Sequence, residues 1–259
     1  MIPSWKWLLA GLTTVVLYSF IAASTRAATF STNSFIDAFV TTGPTGNLSG
    51  NNYGAAGALG VSASGLPKEE FQSVLQFDLA GARNSFDNQF GAGQWSVQSV
   101  SLQLTATPPN NGIFNATSAG QFQIYWMQND SWTEGTGTPN APTTTGITFT
   151  SLQNTFIGPN DENLGTFAFN GATNGAANYT LTLTSGFTAD LLASNDVSLR
   201  LVAADSSVSG LFDSRNFGTA GSRPLFTVDA VPEPATIALT GLGIALLAGR
   251  GILGRRKGA

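Results

Sequence analysis

The stretch Trp95–Thr107, WSVQSVSLQLTAT, decides the fold. Val100, Leu102, Leu104 and Ala106 fall on one face, and Ser99, Ser101, Gln103 and Thr105 on the other. Alternation with a period of two is what a half-buried β-strand requires, because successive side chains point to opposite faces. The pattern returns along the chain. FQSVLQFDLA (71–80) sets Phe71, Leu75, Phe77 and Leu79 against Gln72, Gln76 and Asp78. GQFQIYWMQ (120–128) groups Phe122, Ile124 and Trp126, and NYTLTLT (178–184) groups Tyr179, Leu181 and Leu183. VSLRLVAAD (197–205) groups Val197, Leu199 and Leu201, and RPLFTVDA (223–230) groups Phe226 and Val228.

Gly, Pro, Asn and Thr clusters separate these runs, and one segment breaks the rhythm. SGFTADLLASND (185–196) spaces Phe187, Leu191 and Leu192 along one side of a short helix, with Ser185 placed to cap it. Many short strands with turns between them predict an all-β, jelly-roll-like antiparallel β-sandwich with one short helix over residues 28–230.

Composition narrows the function. Hydrophobic residues make up 42% of the 259, enough for a core, whereas charged residues are only 10%. The surface polarity must therefore come from Ser, Thr, Asn, Gln and Gly. The chain has no His and no Cys, which removes the commonest general base, thiol catalysis, thiolate metal sites and disulfides. Between the two end segments, five basic residues face fourteen acidic ones, a net charge of −9. Nucleic-acid phosphates require clustered Lys and Arg, so such a body excludes nucleic acid as a partner.

Both ends read as addresses. MIPSWKWLLAGLTTVVLYSFIAASTRAA places Lys6 before an apolar run from Trp7 to Ala23, then Thr25 and Ala27 ahead of Ala28. This is the order of a signal peptide, residues 1–27, for signal peptidase; a retained anchor is the alternative. At the other end Pro232 and Pro234 stop any helix running out of the body. Ala235–Ala248 would make a helix of about 21 Å, short of the roughly 30 Å hydrocarbon core. Extending it over about 235–253 closes the gap if Arg250 snorkels, leaving Arg255, Arg256 and Lys257 as a basic tail on the cytoplasmic side. A buried core helix is the alternative, but it would not need that charge.

Pro-Glu-Pro, apolar span and basic tail in this order, over residues 231–259, resemble the PEP-CTERM sorting signal of Gram-negative bacteria, with Val231, Pro232, Glu233 and Pro234 matching its motif. The resemblance implies export, transient anchoring in the inner membrane, processing by an exosortase, and delivery to the cell surface or matrix, often beside exopolysaccharide. The body resembles the DNRLRE-type modules, β-sandwiches related to carbohydrate-binding modules. The likeness rests on Asn52-Tyr53-Gly54, on QSVLQFDLA with Gln72 and Gln76 where arginines are usual, on Trp132-Thr133-Glu134-Gly135-Thr136, and on Ser214-Arg215-Asn216.

Each candidate site has a structural alternative. Trp132 could stack on a sugar ring beside Glu134, or cap the sandwich while Glu134 bonds to backbone amides. Arg200 and Arg215 could each fork onto a carboxylate-bearing sugar, or tie strand ends by pairing with Asp205, Asp213 or Glu134. Asn160, Asp161 and Glu162 form an oxygen-rich turn suited to calcium, as do Asp37 and the Asp196–Asp205 segment, or they are solvated turns. A glycosidase would need two carboxylates facing each other across a cleft. No local motif singles out such a pair, and no G-x-S-x-G elbow or phosphate-cradling loop occurs. The expectation is a non-catalytic binding or structural module associated with exopolysaccharide. A polysaccharide hydrolase and a scaffold without a glycan ligand are the alternatives.

Overall fold

The computed structural model describes residues 27–65, 69–109, 112–193 and 195–233. Residues 1–26 of the expected signal peptide, the transmembrane helix and the basic tail (Arg250, Arg255, Arg256, Lys257), together with Pro234, lie outside them. Among the described residues no helix is long and apolar enough to cross a membrane. Residues 28–230 form one unit by themselves.

The strand patterns become two antiparallel sheets. The smaller is ordered β1 (Ala28–Asn33), β11 (Leu225–Pro232), β5 (Trp95–Thr105), β8 (Ala176–Leu181). The larger runs β10 (Ser209–Asp213), β3 (Ala58–Ser62), β4 (Phe71–Phe77), β9 (Val197–Ala203), β6 (Gly120–Met127), β7 (Glu162–Phe169). β2 (Ile36–Thr41) pairs along β4. The chain is therefore all-β and antiparallel, as its alternation predicts. β1 pairs with β11 from Ala28↔Ala230 to Asn33↔Leu225, so the body starts and finishes at one end of one sheet.

The apolar faces meet between the sheets. Val100, Leu102, Leu104, Tyr179, Leu181, Phe226 and Val228 from the small sheet pack with Leu75, Phe77, Phe122, Ile124, Leu199 and Leu201 from the large one. At about 25 cal/mol per Å² of buried apolar surface, a core of this kind stabilises the domain without disulfides.

Two features differ from the sequence reading. The first is a second helix, Ala80–Phe90, directly after β4. It buries only Ala82 and Phe86, with Phe86 against Trp95 at 4.9 Å between ring centroids, so its apolar stripe is too sparse to show as periodicity. Asp78 caps it by accepting the Ala80 N–H, and Gly91 (φ +96°) ends it. The expected helix is present as Ser185–Ala193, burying Phe187 and Leu191. Its cap comes from another strand: Glu162 accepts the N–H groups of Gly186 and Phe187 and the Ser185 hydroxyl.

The second difference is that part of the large sheet is buried on both faces. Gln72 and Gln76, expected at a solvated face, are only 3% and 2% exposed. The segment between β6 and β7 folds back over the outer face near β2 and β4. There Trp132, Ile147 and Leu152 pack on Ala38, Val40, Val74 and Met127. A helical turn at Phe149–Ser151, boxed by Thr148 and Ser151, runs into a π-helical turn at Leu152–Phe156 and anchors this covering segment.

Candidate functional site

Three stretches far apart in the chain converge beside β2: Asn52-Tyr53-Gly54, Trp132–Thr136 and Ser214-Arg215-Asn216. Glu134 is the hub. Its carboxylate accepts the Arg215 Nε and Nη2 donors, the Asp37 backbone N–H and the Asn216 side-chain amide. Asn52 staples the same segment from the other side. Its Nδ2 donates to the carbonyls of Glu134 and Ile147, and its Oδ1 accepts from Gly54 and Gly137 N–H. Glycine is required at 54 because a Cβ there would collide with the Glu134 carbonyl, and at 135 because φ is +78°. Asn216 closes the ring by donating to the Gly54 carbonyl.

Asp37 lies beneath this hub with no exposed surface. Its Oδ2 accepts from the Ser34 hydroxyl and the Arg215 backbone N–H, and its Oδ1 has no partner. Burial pushes its pKa up to about 7; the bonds from Arg215 and Ser34 oppose that rise, and the nearby Glu134 charge adds to it. The Arg215 guanidinium is held above its ordinary range, chiefly by its hydrogen bonds to Glu134.

Trp132 is 3% exposed and donates its indole N–H to Ser198 Oγ at 3.0 Å. It is a peg that pins the covering segment with no free face for a sugar, as in the second of the two readings its motif allows. Glu134 and Arg215 are engaged with each other, although Arg215 keeps part of its side chain in solvent. The two arginines divide: Arg215 pairs with Glu134, whereas Arg200 has no carboxylate within 4 Å among the described residues. Arg200 lies instead over the Tyr125 ring at 4.8 Å, with Nη1 donating to Gln72 Oε1.

Of the oxygens considered for calcium, those of Asp161, Glu162 and Asp205 accept from protein donors, whereas Asp37 Oδ1 has no partner. Asp161 accepts backbone N–H groups of Gln128 and Gly158, Glu162 caps its helix, and Asn160 donates to Gln128 Oε1. Asp205 accepts from Ser207, Val208 and Gln121 N–H. Among the described residues no cluster of three or more acidic side chains has the arrangement of a metal site.

Near the helix Ser185–Ala193 lie three further acids, Asp130, Asp190 and Asp196. Burial raises all three; the charges of Asp190 and Asp196 add to the rise at Asp130, that of Asp196 adds to it at Asp190, and that of Asp78 adds to it at Asp196, and Asp130 reaches about 6. Asp130 and Asp161 line a shallow depression of about 620 Å³ with Gln128, Asn129, Ser131 and Phe156. The sequence offered Asp37 only as a calcium ligand and did not mark Asp130, because the buried setting of each is made by residues distant in the chain, Glu134 and Arg215 around Asp37 and Ser198, Asp190 and Asp196 around Asp130. No protein-family model matches the chain, and no curated protein matches it in sequence.

Proposed function

We propose that the protein is an exported, non-catalytic module of the cell surface or extracellular matrix that associates with exopolysaccharide. In this reading residues 28–230 are a jelly-roll-like, DNRLRE-type sandwich carried between a signal peptide and a PEP-CTERM segment. Signal peptidase and an exosortase act on the two ends while the inner membrane holds the chain.

The observation that carries the non-catalytic part is the saturation of the motif residues. Glu134, Asn52 and Arg215 bond within the hub and Trp132 bonds to Ser198, so together they fix the covering segment, leaving no free acid–base pair at the hub. The ends support the export part. Ala28 and Ala230 are paired neighbours at one end of one sheet, an arrangement compatible with cleavage on either side of the body. The low charge leaves hydroxyl and amide groups as the polar surface, which suits hydroxyl-rich polymers.

The test is the intact mass of the extracellular protein together with its retention on the host's purified exopolysaccharide. The expected product lacks residues 1–27 and the span after Pro-Glu-Pro, and is retained. A full-length protein confined to the cytoplasm would sink the reading.

One observation favours a second reading, a polysaccharide hydrolase. Asp130, raised to about 6, shares a depression with Asp161, whose carboxylate accepts the N–H groups of Gln128 and Gly158. A pair of carboxylates, one of them able to hold a proton, is what glycoside hydrolysis uses. Release of reducing ends that disappears in Asp130→Asn would establish it.

A further inference from the structure

The covering segment roofs only part of the large sheet's outer face. It sits on Val74, Met127 and Ser198, and the strands β4, β9, β6 and β7 continue beyond it. On that open part the register aligns two rungs. One joins Arg200, Tyr125 and Asn163, and the next joins Val202, Gln123 and Thr166, with Gln72 at its β4 end. Four strands at about 4.8 Å spacing make each rung roughly 14 Å long. Every one of these side chains lies opposite the core residues Ile124, Leu199 and Leu201.

The side chains are linked into a row. Gln72 donates to Glu70, Arg200 donates to Gln72, Tyr125 donates to Gln123, and Gln123 donates to Thr166. Such linkage fixes rotamers in advance and lowers the entropy lost when a ligand binds. Among the described residues Arg200 is half-buried yet has a single acceptor, Gln72, for its five N–H donors. Asp161 and Glu70 are near enough to act on its charge without pairing with it. The face thus offers unmet donors, amides, hydroxyls and one aromatic ring, with no net positive charge.

Resting on the reading of the protein as a polysaccharide-associated module, we infer that this open row is its ligand site and that the ligand is an uncharged polysaccharide chain lying across β4, β9, β6 and β7. Vicinal hydroxyls both donate and accept, so they match a row that mixes the Arg200 donors with the Gln123 and Glu70 acceptors. Acidic polymers are disfavoured by the −9 body and by Asp161 and Glu70 beside the one cation. A protein partner would need an apolar anchor; the exposed large hydrophobics among the described residues, Phe35 and Leu192, lie elsewhere.

The test is affinity electrophoresis of the exported protein in gels containing the host exopolysaccharide, dextran, galactomannan, hydroxyethylcellulose or alginate. Retardation by at least one neutral polymer is expected. Arg200→Gln and Tyr125→Ala should each weaken it about tenfold, as loss of one charge-assisted contact would. Gln123→Ala, at a partly exposed position that should tolerate truncation, serves if either variant misfolds and should also weaken binding. Gln103→Ala on the small sheet should not. Neutral-polymer binding that survives all three substitutions overturns the site but leaves the functional reading intact. Tighter binding to alginate than to any neutral polymer overturns the ligand class. Retardation by none of the five overturns the functional reading and this inference with it.

Discussion

Replacing Glu134 by Gln tests whether one carboxylate holds the three converging segments together. The native side chain accepts four hydrogen bonds, two of them from Arg215 and one each from Asp37 N–H and Asn216. Gln keeps one acceptor oxygen and turns an amide N–H₂ toward donors. Removing one partner of a buried ion pair typically costs about 3–5 kcal/mol, because the remaining charge is left uncompensated. Arg215 retains a side-chain exposure of 34% and can turn partly to water, so the lower end, about 3 kcal/mol, applies. For a body of this length that lowers the melting temperature by roughly 6–12 °C. The assay is thermal unfolding of wild type, Glu134→Gln, Arg215→Met and the double variant. The two single losses should exceed the double loss by about 1–3 kcal/mol, since the double variant leaves no orphan charge. A Glu134→Gln variant within 1 kcal/mol of wild type, or additive losses, would refute the reasoning.

Asp37 should make stability fall as pH rises. Its folded pKa is about 7 against an ordinary 3.8, so between those values the folded state keeps a proton that the unfolded state has released. The decline therefore runs from about pH 4 to pH 7, is absent below it and complete above it. Its size is at most roughly 4 kcal/mol. Asp37→Asn should remove most of this slope in denaturation midpoints compared at pH 5 and pH 8, leaving the part that Asp130 contributes with the same sign. An unchanged slope would show that Asp37 is ionised in the fold. Trp132→Ala should cost about 3–5 kcal/mol through the cavity and the lost indole bond to Ser198. It should also open the covering segment to chymotrypsin at Phe149, Leu152 or Phe156; resistance equal to wild type would mean that the other contacts suffice.

The small sheet was legible because one of its faces meets water. Val100, Leu102 and Leu104 are buried while Ser101 and Gln103 between them are partly exposed, so period two survives in the composition. The large sheet was legible as strands but not as a doubly covered layer. β4 is buried at all seven positions, Gln72 and Gln76 included, because the segment that covers it lies some fifty residues away and carries no periodicity. Gln76 is satisfied there by donating to the Asp130 carbonyl, a partner that no local pattern announces. The helix Ala80–Phe90 escaped for a related reason, since two buried side chains eleven residues from strand to turn leave no stripe to read. At the candidate site Trp132, Glu134 and Arg215 were visible, and so were both a sugar-binding and a structural role for them, but the choice between the two was not. Exposure separates a sugar-stacking Trp from a peg, and exposure is a property of the covering segment rather than of the motif.

The scarcity of charge links these features. A body with so few ionisable groups uses most of its acids on backbone donors or on single neighbours. Glu134 takes Arg215, Glu162 caps a helix, Asp78 caps another, Asp161 and Asp205 hold turns, and Asp87 accepts the Trp95 indole N–H. Each such carboxylate is fixed by donors it would otherwise share with water, which stabilises loops that have no disulfide to close them. What is left to face solvent on the open part of the large sheet is then mainly amide, hydroxyl and aromatic, with Arg200 short of acceptors. The composition that stabilises the fold by inward-turned acids thus also decides which ligands the outer face can hold. Turning one of those acids outward, by cutting its backbone bonds, would weaken the loop and make the face less hospitable to a neutral chain at the same time.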